Sequence, residues 1–223
     1  MPDSVFQYGW LDDQAKKDDD RIYGVALATV INNLDLLGEG RVQVNLPWMP
    51  GYMPWARVAV LSAGMMRGTY FIPQIGDEVL VAFNQGDVRE PFIVGSLWNT
   101  LDHPPAALPT DPVTKRIIRT PTGQQIVFDD LLQTVTVTNT LQNTLTLGPT
   151  GASLEAGTLP PPSKSSISMD LLGNVTIQGA ISITLKAPSI TLDGEIVSVK
   201  GSASATLDGG LQCTVSGLQI DIG

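Results

Sequence analysis

A short alternating pattern repeats from Ser166 to Ile222, and it restricts the possible folds more than any other feature of the sequence. Runs of about five residues alternate Ile, Leu or Val with Ser, Thr or a charge, and glycine or proline separates neighbouring runs. Such runs predict short β-strands with one apolar face. They cover residues 166–171, 174–178, 180–186, 189–193, 195–200, 205–207, 212–216 and 218–222.

A strand of about five residues cannot bury its apolar face alone. The apolar side chains here are aliphatic, so the space that they fill must be narrow, and the turns recur too often for the longer coils of a single-chain solenoid. Three identical chains wound about one axis solve the problem. The pattern therefore predicts an intertwined homotrimeric β-helix, a triangular β-prism, over residues 115–223. About a dozen strands per face at about 4.8 Å each would give a shaft of about 60 Å. Its predicted core comprises Ile177, Ile183, Leu185, Ile190, Leu192, Val199, Cys213, Val215, Ile220 and Ile222.

The first hundred residues have a different composition, because every aromatic residue except Phe128 lies there. Five or six short strands are predicted between residues 21 and 99, with turn residues such as Gly76-Asp77 and Gly86-Asp87 between them. That number of strands in some 80 residues is typical of a small closed barrel. The predicted strands are residues 22–31, 40–46, 56–61, 70–72, 78–83 and 91–94.

Two further segments complete the predicted organisation. Residues 1–20 form an N-terminal arm that is either a solvated leader or a docking arm, and Phe6, Tyr8 and Trp10 are its candidate anchors. Residues 100–114 contain four prolines and predict a semi-rigid linker between two domains.

Composition excludes several kinds of function. The chain carries 22 acidic against 13 basic side chains, for a net charge of −9, which argues against a surface that binds nucleic acid. One cysteine and one histidine cannot form an intrachain disulfide or a Cys/His zinc site. We expect no catalytic site, metal or cofactor. The N-terminus lacks the basic and apolar regions of a signal peptide, so we expect synthesis in the cytoplasm.

Several motifs of the predicted barrel resemble a known family. They are Gly40-Arg-Val-Gln-Val-Asn-Leu-Pro-Trp48, Trp55-Ala-Arg-Val58, Tyr70-Phe-Ile-Pro-Gln-Ile-Gly-Asp-Glu-Val-Leu-Val-Ala-Phe83 and Ile93-Val-Gly-Ser-Leu-Trp-Asn99. They are similar to the OB-fold domain of phage baseplate assembly protein V and its relatives, the VgrG spikes of type VI secretion and the spikes of extracellular contractile injection systems. The resemblance covers about residues 22–100, and the C-terminal repeat agrees with it in kind.

The resemblance implies a structural homotrimeric spike that joins a hub and tail tube to a membrane-piercing needle. A fused hub domain does not fit before Phe6, so the hub is expected to be a separate protein. No lysozyme domain lies between barrel and repeat. The end of the repeat lacks a His-x-His motif, so a separate PAAR-type tip protein is expected there. The implied location is the baseplate of a phage tail or a phage-tail-like particle.

Two other functions stay open at this stage. The first is a trimeric fibre or adhesin whose OB-like head binds a glycan. The second, a β-helical polysaccharide lyase or hydrolase, requires longer coils and a groove that gathers carboxylates with Arg or Lys, and the repeat has neither.

Overall fold

A computed structural model describes residues 21–106, 108–157 and 164–219 of the chain. The chain divides into two compact units between Val113 and Thr114. Apart from one four-residue helix, every regular element in the described ranges is a β-strand. The predicted all-β class is therefore confirmed.

The first unit contains a closed five-stranded barrel in the order β1-β2-β3-β7-β6. The pairing of β3 with β7 is parallel and the other four pairings are antiparallel. A closed barrel of five strands agrees with the expected OB fold. Its strands are β1 (Val25–Asn32), β2 (Arg41–Asn45), β3 (Trp55–Val58), β6 (Glu78–Asn84) and β7 (Asp87–Leu97).

The barrel core follows directly from the alternation in the sequence. On a strand, every second side chain points to the same face, and Val42, Val44, Val79 and Val81 are completely buried. The residues between them on the strand point outward. A shift of one residue in strand register would therefore expose the aliphatic side chains, so burial of these side chains specifies the register. The buried set is Ala28, Val30, Val42, Val44, Leu46, Ala56, Val79, Val81, Phe83 and Ile93.

The connection between β3 and β6 differs from the prediction. Residues 70–72 do not form a strand, so that prediction was wrong. Instead a short hairpin of β4 (Ala63–Gly64) and β5 (Arg67–Gly68) precedes them. A Cβ atom at Gly68 would lie 2.3 Å from the Ser62 carbonyl oxygen, so this hairpin requires glycine there.

The predicted linker contains one regular element, the short helix α1 (Asp111–Thr114). Asp111 is buried, and its Oδ2 accepts a hydrogen bond from the Leu108 N–H at 2.9 Å. The domain boundaries given above stay predictions.

The second unit begins with a seven-stranded antiparallel sheet in which every strand pairs with the next strand in the chain. This arrangement differs from the intertwined winding expected for the whole of residues 115–223. Consecutive strands run in opposite directions, so one chain supplies all seven strands of the sheet. The strands are β8 (Lys115–Arg119), β9 (Gln125–Asp129), β10 (Thr134–Thr138), β11 (Thr144–Gly148), β12 (Gly151–Ala156), β13 (Ser165–Asp170) and β14 (Val175–Gln178).

After β14 the chain changes character. Between residues 179 and 219, all of which the structure describes, no residue is assigned to a strand. A strand is defined by hydrogen bonds to a neighbour, and these alternating segments have no strand neighbour within the single chain. The predicted strands of this region need a second chain, and their pairing stays a prediction.

Candidate assembly surface

The sheet of β8–β14 has one apolar face, which we call the apolar sheet face. Residues directly opposite each other in neighbouring strands share a face, so the register places apolar side chains in two columns that cross the sheet. The first column is Ile118, Ile126, Val137, Leu145, Leu154, Ile167 and Ile177. The second column is Phe128, Val135, Leu147, Ala152, Met169 and Val175. Arg116 of β8 lies opposite Phe128 at one end of the second column.

The opposite face of the same sheet is largely polar. Its central row of directly paired residues runs from β10 to β14 through Thr136, Thr146, Ser153, Ser168 and Thr176, and it continues through Val127 of β9 and Ile117 of β8. Hydroxyl side chains on one face and aliphatic side chains on the other make the sheet strongly amphipathic. A sheet of this kind needs a second apolar layer over one face only.

The single chain leaves the apolar sheet face uncovered. Side chains of the first column are between 36% and 56% exposed. Contiguous exposed apolar surface of this extent is uncommon on monomeric proteins and marks an interaction site. The fold thus presents a continuous aliphatic surface for a partner.

Polar side chains in the turns hold the register of this surface. The Asn139 Oδ1 accepts hydrogen bonds from the backbone N–H groups of Leu141 and Asn143, at 3.0 and 2.9 Å. The Asp170 Oδ1 does the same for Leu172 and Asn174, at 2.9 Å each. The hydrogen bond from the Asn174 side chain, together with these backbone donors, lowers the pKa of Asp170. Since a one-residue slip would turn the aliphatic columns to the polar face, these turns protect the surface.

The predicted core residues beyond β14 are exposed in the single chain. Ile177 lies in β14, and Ile183, Leu185, Ile190, Leu192, Val199, Cys213 and Val215 follow it. Ile220 and Ile222 lie outside the described residues, as do the hub-contact candidates Phe6, Tyr8 and Trp10. The assignment of all these residues stays a prediction.

The barrel places its aromatic rings in several different settings. Trp48 packs edge-on against Phe83, with ring centroids 6.1 Å apart. The Arg41 guanidinium lies 5.7 Å from the centre of the Trp55 ring. Tyr70 and Phe71 are exposed beside the β4–β5 hairpin.

Two aspartates, Asp77 and Asp129, accept hydrogen bonds from the backbone of adjacent turns. The Asp77 Oδ2 accepts the Gln74 N–H at 2.8 Å, and the Asp129 Oδ1 accepts the N–H groups of Leu131 and Leu132. Within the described ranges, no group of three His, Cys, Asp or Glu side chains could hold a metal ion. No helix in the same ranges is long and apolar enough to cross a membrane.

Residues 26–98, which include the whole five-stranded barrel except the first residue of β1, match a family model described as the type VI secretion system/phage-baseplate injector OB domain. This segment is similar to the injector OB domain. The resemblance to baseplate and VgrG spikes is thereby confirmed over this part of the chain.

Three curated relatives align with the same part of the chain. The VgrG3 spike protein of type VI secretion from Vibrio cholerae is 38% identical over 99 residues, which are 41% of this chain and 10% of that protein. The actin cross-linking toxin VgrG1 of Vibrio cholerae is 37% identical over 98 residues, 41% of this chain and 9% of the toxin. The VgrG2a spike protein of Pseudomonas aeruginosa is 36% identical over 110 residues, 44% of this chain and 13% of that protein. The aligned segments span only about a tenth of the relatives' length.

Sequence reasoning missed the largest part of the apolar sheet face. The predicted core began at Ile177, whereas the columns extend back to Ile118 through Val137 and Leu154. The signal was present in the alternation Thr134-Val-Thr-Val-Thr138 and Thr144-Leu-Thr-Leu147. The alternation alone does not show which strands pair, and the pairing decides which apolar side chains lie in one column.

Proposed function

We propose that this chain is the structural central spike of a contractile tail or injection-system baseplate. Three copies associate through their apolar sheet faces into a triangular shaft, and the OB domains form the head. The head joins a separate hub protein and tail tube, and the needle penetrates the target membrane when the sheath contracts. A separate PAAR-type protein covers the C-terminal end. The chain itself has a mechanical role and no catalytic one.

One observation carries the proposal: an injector OB domain is followed in the same chain by a sheet whose aliphatic face is uncovered. The face is only two side chains wide on each five-residue strand, which suits a narrow prism better than a broad two-layer sandwich. Closure around an axis also removes the lateral sheet edges at which a single chain would aggregate. The printed names of the aligned relatives include type VI secretion spike proteins, which agrees with this role.

The mass of the purified protein in solution tests the trimer. Light scattering should give about 71 kDa, three times the chain mass of 23.7 kDa. A mass near 23.7 kDa, or near twice that value, would contradict the three-fold shaft.

Co-purification tests the role in the machine. When the tagged chain is expressed with the hub and tube proteins of the same machine, we expect all three to purify together. A trimer that binds glycans but not the hub would instead support an adhesin.

A further inference from the structure

A three-residue unit recurs through the last part of the chain, beginning at the end of β14. Each unit has an aliphatic residue, a polar residue and a small residue, and successive units start seven or eight positions apart. The units are Ile177-Gln178-Gly179, Leu185-Lys186-Ala187, Leu192-Asp193-Gly194, Val199-Lys200-Gly201, Leu207-Asp208-Gly209 and Val215-Ser216-Gly217.

In three of the six units the small residue lies at a close approach of the backbone to itself. A Cβ atom would lie 2.6 Å from the Ser182 carbonyl oxygen at Gly179 and 2.1 Å from that of Ser204 at Gly201. The same contact recurs at Gly209, 2.0 Å from the Gln212 carbonyl oxygen. Distances this short exclude a side chain. Three of the six units therefore mark similar corners of the backbone, whereas at Gly194 the nearest atoms lie 3.7 Å away and Ala187 carries a side chain.

The polar residue of the unit alternates in charge along the chain. Its four central members are Lys186, Asp193, Lys200 and Asp208. Lys186, Asp193 and Lys200 each follow an aliphatic residue of the predicted core, and Asp208 follows Leu207. Each therefore points to the opposite, outer face of its predicted strand. All four side chains are exposed, and in the part of the chain that the structure describes none of them forms an ion pair with its own chain.

Three-fold symmetry converts this alternation along one chain into contacts between chains. This step rests on the proposed trimeric shaft. Suppose that each chain contributes one strand to one side of the triangular shaft and then passes to the next side. The adjacent strand on the first side then belongs to a neighbouring copy, and it carries the next unit of the repeat. Neighbouring rungs lie about 4.8 Å apart. Lys186 of one copy then lies beside Asp193 of the next, and Lys200 continues the same column.

We propose that Lys186, Asp193, Lys200 and Asp208 form an interchain ladder of ion pairs on the outer face of the shaft, and that this ladder sets the register of the three chains. The partner is a second copy of this chain. In the correct register Lys200 lies between Asp193 and Asp208 of neighbouring copies, and Lys186 lies beside Asp193. A slip of one unit pairs Lys with Lys and Asp with Asp, and like charges directly opposite each other are destabilising. The ladder thus disfavours the misregistered shafts that a uniform aliphatic core would permit.

Engineered disulfides test the geometry. In a Cys213→Ser background, Lys186→Cys combined with Asp193→Cys should give covalent trimers on a non-reducing denaturing gel, because neighbouring rungs match the Cα separation of a disulfide. The matched control, Lys186→Cys with Lys200→Cys, places the thiols about 9.6 Å apart on rungs two steps removed. It should stay monomeric on the gel. Cross-linking of the control pair instead of the test pair would overturn the register.

Charge reversal tests the electrostatic role. Asp193→Lys places a third positive charge between Lys186 and Lys200 and should lower the melting temperature of the trimer by about 4 °C or more at low salt. At 1 M salt the loss should shrink, since the Debye length falls to about 3 Å. Glu195→Lys makes the same charge change outside the column and should have a smaller effect. Reversal of all four ladder residues restores the alternation and should restore the melting temperature.

Failure of the ladder and failure of the proposed function give different results. If wild-type protein is a trimer by light scattering but Asp193→Lys and Glu195→Lys melt alike, the ladder is wrong and the spike is unaffected. If wild-type protein is not a trimer, the proposed function itself is wrong. If the fourfold reversal melts as low as Asp193→Lys, alternation is not what stabilises the shaft.

Discussion

At the scale of single residues, the Asp35 carboxyl group has a strongly lowered pKa. It lies in the loop between β1 and β2, where Gly38 and Gly40 both have φ of 71° and let the backbone fold around the carboxylate. The Asp35 carboxylate accepts the N–H groups of Leu37, Glu39 and Arg41. It also accepts two hydrogen bonds from the Arg41 guanidinium, at 3.2 and 3.0 Å. The Arg41 side chain, aided by these backbone donors, holds the pKa of Asp35 far below its ordinary value.

Removing this charge should destabilise the barrel in a pH-dependent way. A depressed native pKa means that the unfolded state takes up a proton first as the pH falls. The stabilisation is complete above the unfolded pKa of about 3.9 and decreases as the pH falls below it. Asp35→Asn should therefore melt below wild type at pH 6, and the difference should shrink by pH 3. Tryptophan fluorescence is a suitable probe, because all four tryptophans lie in the first hundred residues.

Asp87 offers a matched control for Asp35. It also pairs with an arginine, Arg89, and that hydrogen-bonded guanidinium lowers the pKa of Asp87 to about 2. The Arg89 side chain is 79% exposed, however, so solvent screens this pair. Asp87→Asn should lower the melting temperature less than Asp35→Asn. Equal effects of the two changes would show that the enclosed loop contributes nothing beyond an ordinary surface ion pair.

At the scale of elements, three hairpins of the second unit use the same five-residue turn. The turns span residues 120–124, 139–143 and 170–174, and the fourth residue of each has positive φ. That residue is Gly123 (92°), Gln142 (59°) and Gly173 (86°). An L-residue pays a steric cost in this left-handed region, whereas glycine does not. Two of the turns therefore have glycine at the left-handed position, and the third has Gln142 there at a steric cost.

Exchanging these residues should change stability in opposite directions. Gln142→Gly should raise the free energy of unfolding by about 0.5 kcal/mol, because the relief of strain exceeds the added entropy of the unfolded chain. Gly173→Ala should lower it by about 1 kcal/mol. Gly173→Asn should cost less than Gly173→Ala, because asparagine tolerates the left-handed region. Denaturant unfolding followed by circular dichroism measures all three. A stabilising Gly173→Ala would contradict the shared turn.

The elements also show what sequence patterns can and cannot predict. Alternation was sufficient for β2, where Val42 and Val44 face a closed core. Strand propensity gave the wrong result at residues 70–72. Aromatic and β-branched residues there favour a strand, but Pro73 follows and no neighbouring strand is available. The β4–β5 hairpin was missed because glycine and methionine, rather than β-branched residues, form it. The parallel closure of β3 on β7 joins residues far apart in sequence, and no local pattern encodes it.

At the scale of the whole molecule, the two units of the single chain differ in how they treat their apolar side chains. The barrel buries its own aliphatic side chains, but the apolar sheet face and the segments after β14 expose theirs. Composition indicated this division, since every aromatic residue except Phe128 lies in the first hundred residues and the aliphatic repeats follow. The candidate surface between Ile118 and Ile167 was not predicted, because it depends on which strands the turns bring together. Alternation predicts that a segment forms a strand, but it does not predict whether the neighbouring strand belongs to the same chain or to another copy.

A single charge in the apolar sheet face should therefore prevent assembly. Leu154 lies in the middle of that face on β12 and is 49% exposed in the single chain. In a trimer, Leu154→Asp would bring three carboxylates into a dry core, where an unpaired charge is very unfavourable. Light scattering should show loss of the species near 71 kDa, three times 23.7 kDa, in favour of monomers or aggregates. Ser153→Asp introduces the same charge one residue earlier, on the polar face of the same strand, and should stay trimeric. If both variants assemble equally well, the apolar sheet face is not the surface through which the chains meet.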